Sequence, residues 1–297
     1  MKMITRTELK DLLDKGGPHT LIDVTPAEYY EAAHLPGAKN CCVYEVTFLD
    51  QVASAAPQGT IIVYGSSRHS LASATAQEKL TRAGYAEALN YRGGLEDWEA
   101  GGLPVVRGPQ PPPDPQPREG RHEVDTAKSR VLWTGRNIHS QHTGTIKLKS
   151  GWIDVGDCSS ATGEFTLDME SIADTDLENS SLKGILIAHL KSDDFFDTKQ
   201  FPTAVFHLRH VVINPHAKPG SINAEVDGTL TLKGVTDGLG FPAIIEALPG
   251  GELSAEAHFD IDRTRWNVLY GSGKFYEKLG RNLVHDNISL SLHIVTN

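Results

Sequence analysis

The chain of 297 residues carries 38 acidic against 28 basic side chains, a formal net charge of −10, and 39% hydrophobic residues. The acidic balance argues against a nucleic-acid footprint, which needs a basic face, and no run approaches the ~20 apolar residues of a membrane-spanning helix. The length and apolar content suit two domains, each with its own core.

The first sixteen residues scatter their charges and show no apolar targeting segment, so a cytoplasmic protein is expected. Cys41, Cys42 and Cys158 are too few and too awkwardly spaced for a disulfide framework, and read as reduced small hydrophobes. Residues 5–16 form an amphipathic helix, with Leu9, Leu12 and Leu13 on one side behind the cap candidates Thr5 and Thr7. Thr20 to Val24 reads as a buried parallel strand, and Pro26 opens the helix that follows it. His34 to Ala38 is a turn and Cys41 to Tyr44 a second strand. Thr60 to Tyr64 is a third, and Ser70 to Ala83 is a helix stopped by Gly84. Strand, loop and helix in this order predict an open α/β sheet. Such a sheet places its site at the carboxyl end of a strand, here the loop from Gly65 to His69.

Gly108 to Gly120 reads GPQPPPDPQPREG, with six prolines in thirteen residues. Each proline fixes φ and removes a donor, so the stretch should run as a stiff, polyproline-like spacer. This divides the chain into 1–107, a linker 108–120, and 121–297. Beyond it the hydrophobic period becomes two. Ala224, Val226, Leu230 and Leu232 share one face, as do Leu253, Ala255, Ala257, Phe259 and Ile261, and again Ile288, Leu290, Leu292 and Ile294. Further strands are expected at Arg130 to Gly135, Thr143 to Lys149, Trp152 to Val155, Glu164 to Glu170 and Thr203 to Ile213. One helix, around Leu182 to Lys191, is too little to cover an open sheet, so about eight antiparallel strands should close into a barrel. Such a barrel is either filled by its own side chains or holds one small apolar ligand, and the pattern does not choose.

The segments LIDVTPAEYYEAAHLPGA, IIVYGSSRHSLAS and YRGGLEDWEAGGLPV resemble a rhodanese (sulfurtransferase) domain over about residues 5–106. In that family the residue after the central strand is the cysteine that carries sulfur, and here that place is Gly65. A second cysteine found in the most similar subgroup corresponds to Ser70. Sulfur transfer needs a thiolate nucleophile, so no sulfurtransferase activity and no catalytic residue are expected here. The loop Gly65, Ser66, Ser67, Arg68, His69 and Ser70 is then either a degenerate remnant or a small-anion site. Sulfurtransferase-type or other anion chemistry at this Gly65 to Ser70 loop, or through Cys41 or Cys42, is the enzymatic alternative. His34 and Trp98 read as structural.

EVDTAKSRVLWTG, HTGTIKLKSGWIDV, HLKSDDFFDTKQFPTAVFHL, GTLTLKGVT and FDIDRTRWNVLYGSGKF resemble the YceI family of lipocalin-like barrels over about residues 121–296. That resemblance implies a binding or carrier protein for an elongated apolar molecule, an isoprenoid, quinone or fatty-acid-like chain. It leaves a filled barrel serving protein interaction as the alternative. Candidate cavity residues are Trp133, His142, Phe165, Phe206, Phe259, Trp266, Tyr270 and Phe275. Phe195 and Phe196 should pin the helix at the barrel mouth. Asp193, Asp194 and Asp197 beside His189 read as turn chemistry. No metal site is expected: His139-x-x-His142 has no third ligand by spacing, and His207 and His210 differ in strand parity. No Ser-His-Asp set or phosphate loop is present, so no cofactor beyond the apolar ligand is implied. The rhodanese-like part can serve a protein partner, and the sequence leaves a monomer or a homodimer open.

Overall fold

The computed structural model describes residues 2–56, 59–156 and 161–297. Cys158 lies outside the described residues. The chain divides into two compact units, Met1–Pro113 and Asp114–Asn297, and residues 108–118 carry no regular secondary structure. Among the described residues no helix is long and apolar enough to cross a membrane.

In the first unit the elements are β1 (Lys2–Met3), α1 (Arg6–Lys15), β2 (His19–Asp23), α2 (Ala27–Ala32), β3 (Ala33–His34), β4 (Lys39–Asn40), α3 (Phe48–Ala55), β5 (Thr60–Tyr64), α4 (Ala72–Arg82), β6 (Leu89–Tyr91), α5 (Gly94–Ala100) and β7 (Val106–Arg107). The helix α1 starts in a capping box, Thr5 with Glu8, which satisfies two amides the helix leaves open. Five parallel strands run in the order β1-β6-β5-β2-β4. Both faces are covered, with Ile22 and Val63 in one core cluster and Leu21 and Ile62 in the other. This is why β2 and β5 read as unbroken apolar runs.

One sequence expectation is corrected in this unit, and one helix is added. Cys41 to Tyr44 is not a strand: β4 stops at Asn40, and the Cys41 and Val43 amides bond singly to Asp23 O and Val24 O as the chain turns away. Thr47 then leads into α3, whose short apolar face, Phe48 and Val52, left too little periodicity to stand out.

The second unit contains β8 (Gly120–Glu123), β9 (Arg130–Arg136), β10 (Gln141–Val155), β11 (Ala161–Asp174), α6 (Ser180–Lys191), β12 (Thr203–Ile213), β13 (Ala224–Leu232), β14 (Val235–Ala247), β15 (Leu253–Asp262) and β16 (Asn287–Val295). Strands β9 to β16 pair antiparallel in sequence, except that β9 also pairs with β16, and the β10–β11 ladder completes the circuit. The result is a closed eight-stranded barrel, with β8 added alongside the second half of β10.

The expected number of strands is met by a different set. Thr143 to Lys149 and Trp152 to Val155 are one strand, β10, carried through by register shifts between Thr145 and Lys147 and between Leu148 and Ser150. The eighth strand is β14, whose Gly238, Gly240 and Pro242 mask its alternation. Pro242 lies opposite Glu225 in the β13 ladder and ahead of the β15 ladder, which begins at Ile244.

Strand parity also fails once. Between Leu208 and His210 the register of β12 against β13 shifts by one residue. Leu208 and Val211 both face the barrel interior, and His207 and His210 are both exposed. The bulge therefore removes the argument that these two histidines point to opposite sides.

Candidate functional site

The inward positions of all eight barrel strands enclose a cavity of about 460 Å³, with α6 contributing Leu186, His189 and Leu190. This falls within the ~300–1,000 Å³ range of ligand pockets and far exceeds the ~10–15 Å³ that one water needs. The wall is almost wholly hydrocarbon. Phe241 stacks on Phe259 with centroids 4.1 Å apart and planes 5° apart, and Phe206 lies tilted 5.7 Å from Phe241. Phe195 and Tyr270 meet at 5.3 Å, with the His189 ring edge-on to both.

Polar groups reach this wall at few places. Arg263 is buried, and its guanidinium donates to the carbonyls of Val268, His285 and Val284 while Asp286 lies 3.6 Å away. Burial lowers its proton affinity, and Asp286 and Asp262 work against that. The Trp133 indole N–H is buried without an acceptor. His142 lines the cavity while its Nδ1 lies 3.1 Å from Asp176 Oδ2. Burial favours the neutral Asp176 acid, yet hydrogen bonds from the Thr143 amide and His142 outweigh it and hold the carboxyl below its ordinary value.

In the first unit β5 runs directly into Gly65. The loop is anchored by α5: the Leu95 and Glu96 amides each donate at 2.9 Å, to Gly65 O and Ser66 O. Gly94 makes this approach possible, at φ +69°, since a Cβ there would stand 2.5 Å from Gly65 O. Arg68 and His69 are exposed, and the Ser70 hydroxyl accepts from the Ala72 amide at the start of α4. Cys41 is 1% exposed, and burial pushes its thiol up to about 11, where almost none is thiolate at neutral pH.

Family models match both units: a YceI-like domain over residues 122–296 and a rhodanese-like domain over 5–101. The chain belongs to the YceI-like family. Its YceI-like part has structural relatives in Burkholderia cenocepacia BcnA, at 23% identity over 59% of this chain and 99% of that one, TM-score 0.46. Another is a polyisoprenoid binding domain from Saccharophagus degradans, at 13% identity over 61% and 99%, TM-score 0.42. Over 105 residues the chain is 32% identical to an HTH-type transcriptional regulator of Mycobacterium tuberculosis, which is 35% of this chain and 45% of the regulator. The chain thus matches under half the length of that curated relative.

In the YceI-like barrel, Trp133, His142, Phe165, Phe206, Phe259 and Tyr270 all lie on the cavity wall, as do Phe195 and Phe196. Trp266 and Phe275 do not. Trp266 sits in the 3-10 turn Arg263–Trp266, 0% exposed, its Nε1 donating to Leu230 O, so it fills the wall rather than facing the cavity. Phe275 is 54% exposed in the following loop. Sequence reasoning missed Phe241, hidden on the unrecognised β14, and the α6 residues Leu186 and Leu190, whose helical spacing carries no sign of what they cover. In the rhodanese-like domain, Trp98 is buried with its Nε1 donating to Pro104 O, and the His34 ring stacks on Tyr30.

Proposed function

We propose that the YceI-like barrel is a binding or carrier site for an elongated apolar molecule, an isoprenoid, quinone or fatty-acid-like chain. The rhodanese-like domain is, on this reading, a non-catalytic module for docking or anion sensing. The cavity carries the proposal: a space of about 460 Å³ walled by inward apolar side chains favours a hydrocarbon chain, each buried CH₂ of which contributes roughly 0.8 kcal/mol. A filled interaction barrel would leave no such space.

The non-catalytic reading of the first domain rests on Gly65 at the end of β5 and on the protonated, buried Cys41. Neither supplies a thiolate for sulfur transfer. Native mass spectrometry of the purified protein should show an apolar adduct, and a lipophilic dye should bind with one-to-one stoichiometry and be displaced by a long-chain quinone or fatty acid. No adduct and no dye binding would leave the carrier reading without support. Thiosulfate-to-cyanide turnover above that of a Cys41→Ser/Cys42→Ser control would overturn the non-catalytic reading.

A further inference from the structure

The ladder that closes the barrel gathers three ligating side chains at its end. Gly144 lies opposite Asp174, and the Thr175 amide extends the ladder to Thr143 O at 2.9 Å. That register sets His142 opposite Asp176. Side chains two apart on a strand share a face, so His142, Asp174 and Asp176 converge, and one ligating atom from each lies within 4.8 Å of the others.

Asp174 distinguishes this cluster from an ordinary acidic rim. Its side chain is 0% exposed. Oδ1 accepts from the Leu177 amide at 2.9 Å, whereas Oδ2 is buried with no hydrogen-bond partner. Lys183 Nζ stands 3.9 Å from Oδ1, outside hydrogen-bond distance, and leaves Oδ2 unmet. An unpaired carboxylate oxygen is costly away from water, more so with a second carboxylate beside it. A cation between them would relieve both costs.

We propose that His142, Asp174 and Asp176 form a binding site for one divalent first-row transition cation beside the apolar cavity. One imidazole nitrogen and two carboxylate oxygens suit such an ion and leave coordination positions open. Ligand atoms ~2.1 Å from a tetrahedral centre stand about 3.4 Å apart; His142 Nδ1 and Asp176 Oδ2 already lie 3.1 Å apart, and side-chain rotation of Asp174 completes the set. His142 and Asp176 are partly exposed, which gives the ion a path from solvent. The site is independent of what fills the cavity, although His142 belongs to both.

The test is titration of the full-length protein with Mn²⁺ alone, read by calorimetry and by the loss of free-ion EPR signal. One Mn²⁺ per chain is expected, with affinity lowered at least ~10-fold in Asp174→Asn and in His142→Gln. His207→Gln, which alters only the surface pair with Glu164, should leave it unchanged. Asparagine keeps an acceptor for Leu177 and can donate to Asp176, so Asp174→Asn should fold. Should it not, the partly exposed His142 carries the comparison alone. Absence of Mn²⁺ binding, as a proton shared between the two aspartates would give, overturns the proposal, as does equal binding by wild type and both variants.

Discussion

Replacing Ala257 by phenylalanine asks whether the barrel interior is space or packing. Ala257 lies on β15 opposite Leu292 of β16, 5% exposed, with its methyl on the cavity wall. In a filled core an added ring forces neighbours off their rotamers at a cost of about 1–3 kcal/mol. In a cavity of about 460 Å³ the ring finds room, and its burial contributes up to about 1.5–3 kcal/mol in the opposite direction. For a unit of this size 1 kcal/mol moves Tm by about 2–4 °C. The expected result, on delipidated protein, is an unchanged or raised Tm together with weakened lipophilic dye binding, measured by calorimetry and fluorescence titration. A fall of more than about 4 °C with dye binding intact would refute the reasoning, because it would show the ring competing with side chains for a space no ligand uses.

Four further outcomes follow from the first unit. Gly94→Ala should destabilise it by at least about 2 kcal/mol, since left-handed backbone costs a side chain roughly 1–2 kcal/mol and its Cβ would meet Gly65 O at 2.5 Å. Gly65→Ala, whose Cβ meets Ala72 Cβ at an ordinary 3.5 Å, should be neutral or stabilising by up to about 1 kcal/mol, both read from urea midpoints. Cys41, with its thiol at about 11, is ~0.1% thiolate at pH 8, so peptide mapping after iodoacetamide should find it alkylated only when the protein is denatured. Burial raises the Asp23 carboxyl above its ordinary 3.8, against hydrogen bonds from Thr25 and Tyr64. The unfolded chain therefore releases this proton first, and the contribution of Asp23 to stability declines as pH rises above 3.8 to the raised value, then stays level. Asp23→Asn should remove that slope in denaturation midpoints taken across acid pH.

Where one face of a strand is wet and the other dry, the residues announced the structure. Ala224 to Leu232 and Ile288 to Ile294 alternate without a break, and Val226, Leu230 and Leu232 of the first and all four apolar residues of the second face the cavity. The alternation was lost where backbone geometry, not side-chain character, decides. Glycines and Pro242 conceal β14, and the bulge at Arg209 reverses the parity argument for His207 and His210. Tertiary meetings were beyond reach for a different reason. His142 and Asp176 are 34 positions apart, and only the β10–β11 register brings them together. Trp133 and Trp266 share an aromatic character and a strand-like setting, yet one lines the cavity and the other fills the wall, because Trp266 turns with the 3-10 segment to reach Leu230 O.

The closing β10–β11 ladder has a kinetic consequence. An open sheet can release a guest by letting an edge strand peel away, but a circuit of eight paired strands offers no edge, and unpairing any ladder breaks a row of hydrogen bonds at once. A guest of the proposed kind would enter and leave end-on, like a thread drawn through a sleeve, in contact with the α6 side chains Leu186, His189 and Leu190 that line the space. Each additional segment lengthens the path as well as the contact. Residence time should therefore grow with the length of the guest more steeply than the arrival rate falls.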